Sequence, residues 1–274
     1  MYKPKNSIFH YCRLSTALEY ILPYQQLRLS PLINTNDPRE NKSYVFASSY
    51  WGTNFEKVKK SDSEISQTLR EDCKVLCFSQ NHEGFDGSEG LKFFGHELSR
   101  MWAYYSDNHK GVCLELDKEE FIRENEGIIK SDLFRDVQYF GFDFKARGHK
   151  VIDFTIAENI GLEKYLRGTF RSEHADYLFF TKNKEWESEH EIRLVHFSEK
   201  KENEFCSIKS SLRNIYCGVD FNKSYLPSLI HLCPEIDVSI MEYRDVRLIS
   251  RVIFSKKENF VDAEYSNLKS LFHI

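Results

Sequence analysis

The stretch 182–195, Lys-Asn-Lys-Glu-Trp-Glu-Ser-Glu-His-Glu-Ile-Arg-Leu-Val, constrains the chain most strongly. It passes from a charged loop around Trp186 into the alternation of a strand. If the extended phase already holds at Glu187, then Glu187, Glu189, Glu191 and Arg193 share one face, and His190, Ile192 and Leu194 share the other. Carboxylates at that period repel one another unless cations or a polar ligand compensate them. The stretch therefore reads as either a salt-bridged strand lip or a polar ligand site.

Around it, strands are expected at 8–14, 27–30, 73–79, 112–117, 137–140, 205–208, 215–219, 238–243 and 246–254. Helices are expected at 16–22, where Thr16 and Glu19 have capping-box spacing and Pro23 follows, and at 57–69, 91–106, 155–180 and 225–232. A short acidic helix should follow Lys118. Asn36-Asp37-Pro38-Arg39-Glu40 is a punctuated turn, and 81–90 is a Gly-rich loop with His82 and Asp86. Gly111 reads as a C-cap or a point of close backbone approach. No Pro- or Ser-rich linker divides the chain, so one domain over 1–274 is expected. Its fold class is α+β, with a mixed or mostly antiparallel sheet flanked by helices.

With 41% hydrophobic and 15% aromatic residues the chain can bury a core. Lys and Arg number 38 against 42 Asp and Glu, a formal charge of -4, so no global positive field supports nucleic-acid binding. The seven cysteines form no disulfide framework, which suits a reducing, cytoplasmic setting. No apolar run reaches membrane-spanning length, and membrane association is not expected. P-loop, dinucleotide glycine, zinc-protease and nucleophile-elbow motifs are missing. Cys73, Cys77 and His82 do not make a convincing metal site, because the 73/77 spacing is also plain strand periodicity and no second ligand pair is near.

Several blocks together resemble the uncharacterised bacterial family DUF2971. They are Tyr11 with the helix after it, Leu27-Arg28-Leu29, 36–40, Cys77-Phe78-Ser79, Met101-Trp-Ala-Tyr-Tyr105-Ser-Asp-Asn-His-Lys110-Gly111-Val-Cys113, and 182–193. A more distant resemblance is to ADP-ribosyltransferases. There Glu189-His190-Glu191 is similar to the late acidic pair, His10 or Arg13 to the early strand residue, and the strand 28–30 to the ligand-holding second strand. The chain departs from that pattern at Tyr11-Cys12, where a small residue is usual.

That second resemblance implies an ADP-ribosyltransferase-like fold and cleavage of NAD, in a role such as bacterial defence, with a macromolecular acceptor. Glu191 would stabilise the oxocarbenium-like centre, and Glu189 would position or activate the acceptor, with His10 as the early catalytic residue. Trp102 or Tyr105 would wall the nicotinamide. Arg13, Lys110 and Arg193 would meet the pyrophosphate or compensate the acids. Ser30, Asn36, Asp37 and Trp186 complete the expected nucleotide-binding set. The alternatives are a nucleotide-sensing module that does not consume its ligand, and a nuclease holding a divalent ion with Asp37, Glu40, Glu189 and Glu191. A structural or interaction role would show a filled cleft with Glu189 and Glu191 locked in solvent-screened salt bridges.

Overall fold

The computed structural model describes residues 6–37, 40, 46–48, 55–83, 92–141, 150–256 and 259–260. Expectations placed on Pro38, Arg39 and Asp86 lie outside these. Among the described residues eleven strands form one sheet: β1 (Ser7–Cys12), β2 (Gln26–Pro31), β3 (Cys73–Gln80), β4 (Val112–Asp117), β5 (Phe134–Asp136), β6 (Glu191–Phe197), β7 (Glu204–Ser207), β8 (Leu212–Cys217), β9 (Asp237–Arg244), β10 (Arg247–Ser255) and β11 (Asn259–Phe260). Their main order is β7-β2-β3-β1-β4-β8-β9-β10-β11, with β6 joining β3 to β5. The β8–β9 pair is parallel, and the others are antiparallel. With helices such as Phe55–Arg70, Ser99–Tyr105, Phe154–Ile160 and Leu226–Leu232 around it, this is the α+β architecture with a mixed sheet that the sequence implies.

Strand periodicity explains how the sheet is clothed. Ile8 and Cys12 of β1, Leu76 and Phe78 of β3, Leu114 and Leu116 of β4, and Ile192 and Leu194 of β6 alternate onto one face and join a single large core. Each such side chain stabilises the fold by about 1.5–3 kcal/mol through burial. The opposite face is covered by two separate clusters. One gathers Phe9, Tyr11 and Cys113 under Trp102 and Met101; the other gathers Val75 and Val195 under Leu166, Phe170 and Phe179.

One edge of β3 is shared. β1 pairs with it at Ile8–Gln80 and Phe9–Ser79, and β2 pairs at Ser30–Val75 and Pro31–Lys74. β1 then continues along β4, and β2 continues along β7. The two strands therefore diverge beside Leu76, Cys77 and Phe78, and the sheet splits there. A split of this kind leaves a crevice floored by backbone.

Three local expectations need correction. The strand containing Arg193 begins at Glu191, because Lys184–Glu189 forms a 3-10 turn closed by His190 at φ 44. Glu187 and Glu189 are thus not in phase with Glu191, and Glu187 is exposed. The helix expected over 91–106 is confined to Ser99–Tyr105, since Lys92–Phe93 pairs with His82–Glu83 and Gly95 lies where a Cβ would sit 2.3 Å from the Phe9 ring. The early helix starts at Leu14 behind Arg13, without a side-chain cap, so Thr16 is inside it.

Candidate functional site

A cavity of about 660 Å³ occupies the split. Its walls come from β1 (His10), β2 (Arg28, Ser30), β3 (Cys77, Ser79), the helix Ser99–Tyr105 (Met101, Tyr105) and the 182–193 segment. A volume in this range suits a small-molecule ligand.

Its inner end is a chain of buried charges. Lys182 Nζ lies 2.7 Å from Glu189 Oε2 and 2.6 Å from Glu191 Oε2. Arg193, wholly buried, donates from Nε to Glu191 Oε1 at 2.6 Å, from Nη1 to the Phe179 carbonyl at 2.8 Å, and pairs with Glu40. Tyr105 donates its hydroxyl to Glu189 Oε1 at 2.6 Å. The Glu191 backbone N–H donates to the Tyr139 hydroxyl at 2.8 Å. Glu191 and Arg193 are neighbours because residues two apart on a strand share a face. The 3-10 turn returns Glu189 to Lys182, the other cation that Glu191 meets.

These pairings fix ionisation. Burial alone would raise the Glu191 carboxyl, but the charges of Arg193 and then Lys182 outweigh it and bring it down to about 2. Burial would likewise depress Lys182, yet Glu191 and Glu189 carry it well above its ordinary value. Tyr105 is raised by burial and by Glu189, so it stays a neutral donor. Burial lowers His10, whose Nδ1 is 3.2 Å from the Cys77 carbonyl. With the proton on Nδ1 in that bond, Nε2 is the acceptor of a neutral ring. Cys77 is pushed well above its ordinary value by burial and then by Glu191, so it is a thiol rather than a nucleophilic thiolate.

Some polar atoms here have no hydrogen-bond partner among the described residues. Ser79 Oγ is one, in a fully buried residue that lines the cavity and stands opposite Glu191 in the β3–β6 register. Arg193 Nη2 and Glu40 Oε2 are others. Unpaired buried groups are uncommon in folded proteins and ask for an explanation such as a bound ligand.

Of the residues expected at the site, His10, Ser30, Asn36, Tyr105, Glu189, Glu191 and Arg193 line the cavity. Trp102 does not: it is fully buried, edge-on to Tyr11, and donates Nε1–H to the His96 carbonyl at 2.8 Å, so it is a core residue. Arg13 is exposed at the start of the early helix, and Lys110 is exposed on the turn before β4. Asp37 is buried outside the lining, and Trp186 packs its ring 5.5 Å from Lys182 Nζ from behind. Lys182, Ser79 and Cys77 are the residues that sequence reasoning left out of the site. Lys182 lies seven and nine residues before its partners, a spacing that no strand or helix period singles out. Ser79 stands between Phe78 and Gln80, without the small neighbours of a nucleophile elbow, so no motif marks it.

The fold and site define an α+β protein with a cavity at a split in its sheet and a buried, charge-compensated acidic pair. Residues 101–194 match the model of the family described as a protein of unknown function, DUF2971, so the family resemblance read from the sequence blocks holds over this segment. The segment contains Tyr105, Lys182, Glu189, Glu191 and Arg193. No curated protein and no solved structure matches the chain, and the ADP-ribosyltransferase resemblance finds no support in these comparisons. Among the described residues no helix is long and apolar enough to cross a membrane.

Proposed function

We propose that the cavity binds NAD and that Glu191 assists cleavage of the bond between nicotinamide and ribose, with transfer to an acceptor. The observation that carries this reading is the unpaired, buried Ser79 hydroxyl opposite an ionised Glu191 in a cavity of ligand size. A ribose offers hydroxyls that both pair with a carboxylate and accept from a serine.

In such a reaction the glycosidic bond breaks and its electron pair leaves with nicotinamide, which departs neutral. Positive charge develops at the sugar, where the fixed negative charge of Glu191 stabilises it without reorganisation. The acceptor's oxygen or nitrogen then bonds to that carbon, and its proton passes to Glu189 or to Nε2 of His10. Arg193 and Lys182 keep Glu191 ionised in the meantime.

A second reading, nucleotide binding without cleavage, is favoured by one specific observation: both oxygens of Glu191 already face a cation. Metal-dependent phosphodiester cleavage is less well supported, because Glu40, Glu189 and Glu191 are each engaged by Lys182 or Arg193. A metal would have to displace those cations.

The test is incubation of the purified protein with nicotinamide-labelled NAD and bacterial lysate, reading free nicotinamide. Release lost in both Glu191→Gln and Ser79→Ala, with both variants folded, supports cleavage. NAD binding by the wild-type protein without release moves the site to the sensor reading. Absence of both sinks the NAD assignment.

A further inference from the structure

The cavity has a second end of different chemistry. On β2 and β7 the residues Leu27, Leu29 and Cys206 face the large core, so Arg28, Ser30 and Phe205 face the other way. Arg28 and Phe205 are directly paired across the two strands, and both are exposed. Side chains at paired positions of antiparallel strands stand about 5 Å apart. Tyr20, 64% exposed at the end of the early helix, contributes to the same cavity lining, as do Asn34 and Asn203. Arg28 makes no ion pair with any described residue, and neither the Phe205 nor the Tyr20 ring stacks on one.

The two ends therefore differ in what they ask of a ligand. At the inner end Glu189 and Glu191 line the cavity beside two cations, Lys182 and Arg193, the latter also paired with Glu40 outside the lining. That end suits hydroxyls or a cationic ring. The outer end offers one guanidinium unneutralised by a described acid, paired across the two strands with the ring of Phe205. It suits a planar base carrying an anionic phosphate, since bases stack on aromatic faces whatever their sequence, and Arg pairs well with phosphate.

Resting on the NAD reading, we infer that Arg28 and Phe205 form a subsite for the adenosine diphosphate half of the dinucleotide. It binds that half at the outer end and so directs the cationic nicotinamide and its ribose to Glu191. Arg28 and Phe205 are specificity-determining residues in this arrangement, and neither touches the bond that breaks.

The experiment is titration calorimetry of ADP and, separately, of nicotinamide mononucleotide, into wild-type protein and the Arg28→Ala, Phe205→Ala and Phe205→Tyr variants. All three substitutions lie on the exposed face of short strands, and circular dichroism verifies their fold. The inference expects ADP affinity to fall about tenfold in Phe205→Ala, within the range for loss of one stacking ring, and to persist in Phe205→Tyr. Arg28→Ala should weaken ADP and make its binding less salt-dependent, while nicotinamide mononucleotide binding changes less than ADP binding in both alanine variants.

Equal ADP affinity in wild type and both alanine variants overturns the subsite, as does failure of ADP to bind wild type at millimolar concentration. Either result leaves NAD cleavage at Glu191 to be judged by nicotinamide release. ADP binding that depends on Arg28 and Phe205, in a protein that releases no nicotinamide, upholds the subsite and rejects the cleavage.

Discussion

Arg193 Nε lies 2.6 Å from Glu191 Oε1, on the same face of one strand and two residues away in sequence, with both side chains almost completely removed from solvent. The same guanidinium also serves Glu40 from a distant part of the chain. This one cation thus pairs with two buried acidic side chains and holds Glu191 in ionised form.

Arg193→Met should consequently destabilise the protein by about 3–5 kcal/mol, because removing one partner of a buried pair leaves uncompensated charge behind. The double variant Arg193→Met/Glu40→Gln should recover part of that loss. Urea unfolding of the three proteins measures both terms. Equal stability of Arg193→Met and wild type would mean that the carboxylates are solvated or protonated in the folded state.

Glu191 gives the cluster an acid limb. Its carboxyl titrates at about 2 in the folded protein against 4.5 for a free glutamate. A depressed folded value contributes stability that is present above about pH 4.5 and is lost as pH falls toward 2, up to about 3 kcal/mol in all. Thermal unfolding of wild type should therefore steepen in its pH dependence below 4.5, and Glu191→Gln should show a shallower slope in that window. An unchanged slope would place the acid limb on other groups.

Glu115 behaves in the opposite sense. It is buried in β4 and accepts from the Tyr216 hydroxyl at 2.8 Å, and its other oxygen has no partner among the described residues. Burial raises it to about 7, against the weaker lowering effects of Tyr216 and Arg213. Between about pH 4.5 and 7 the folded chain keeps a proton that the unfolded chain has released, so this residue makes stability fall as pH rises through that window. Glu115→Gln should raise the melting temperature at pH 8 and change it little at pH 4.5. A variant no more stable than wild type at pH 8 would show that the carboxylate is accommodated when charged.

Much of the scaffold was legible in the sequence. The alternation Val112-Cys-Leu-Glu-Leu-Asp117 is β4 itself, and the Cys73 strand is within one residue of β3. Glu191 and Arg193 share a face as strand periodicity requires. The failures have a common physical origin: short local hydrogen-bonded turns replace long-period patterns. The Lys184–Glu189 turn breaks the strand phase before Glu191, and the short His82–Glu83 pairing shortens the helix that ends at Tyr105. The cavity was not legible, because it arises where β1 and β2 part along β3, a relation among strands that no local spacing encodes. Trp102 and Tyr105 both fall on the helix expected at 91–106, and only packing assigns Trp102 to the core and Tyr105 to Glu189.

The turn that follows Tyr105 supplies the last test. Asp107, Asn108 and His109 all have positive φ, and the turn is locked by Gly111 N–H donating to the Ser106 carbonyl at 2.8 Å. It is also clamped to the start of the loop after β8: Gly218 N–H donates to the Gly111 carbonyl and Asp220 N–H to the His109 carbonyl, each at 3.1 Å. A Cβ at Gly218 would lie 2.0 Å from the His109 carbonyl oxygen, a backbone atom that cannot swing aside. Gly218→Ala must therefore push the turn outward, at a cost of about 1–3 kcal/mol or more. Because the turn continues the helix that carries Tyr105, the displacement should also loosen the Tyr105–Glu189 hydrogen bond. Ligand affinity at the cavity should then fall in Gly218→Ala to about the level of Tyr105→Phe, although residue 218 is not part of the lining. Thermal unfolding reads the first effect and calorimetric titration of NAD the second. A Gly218→Ala protein that is destabilised yet binds as wild type would show that the turn supports the fold without positioning Tyr105.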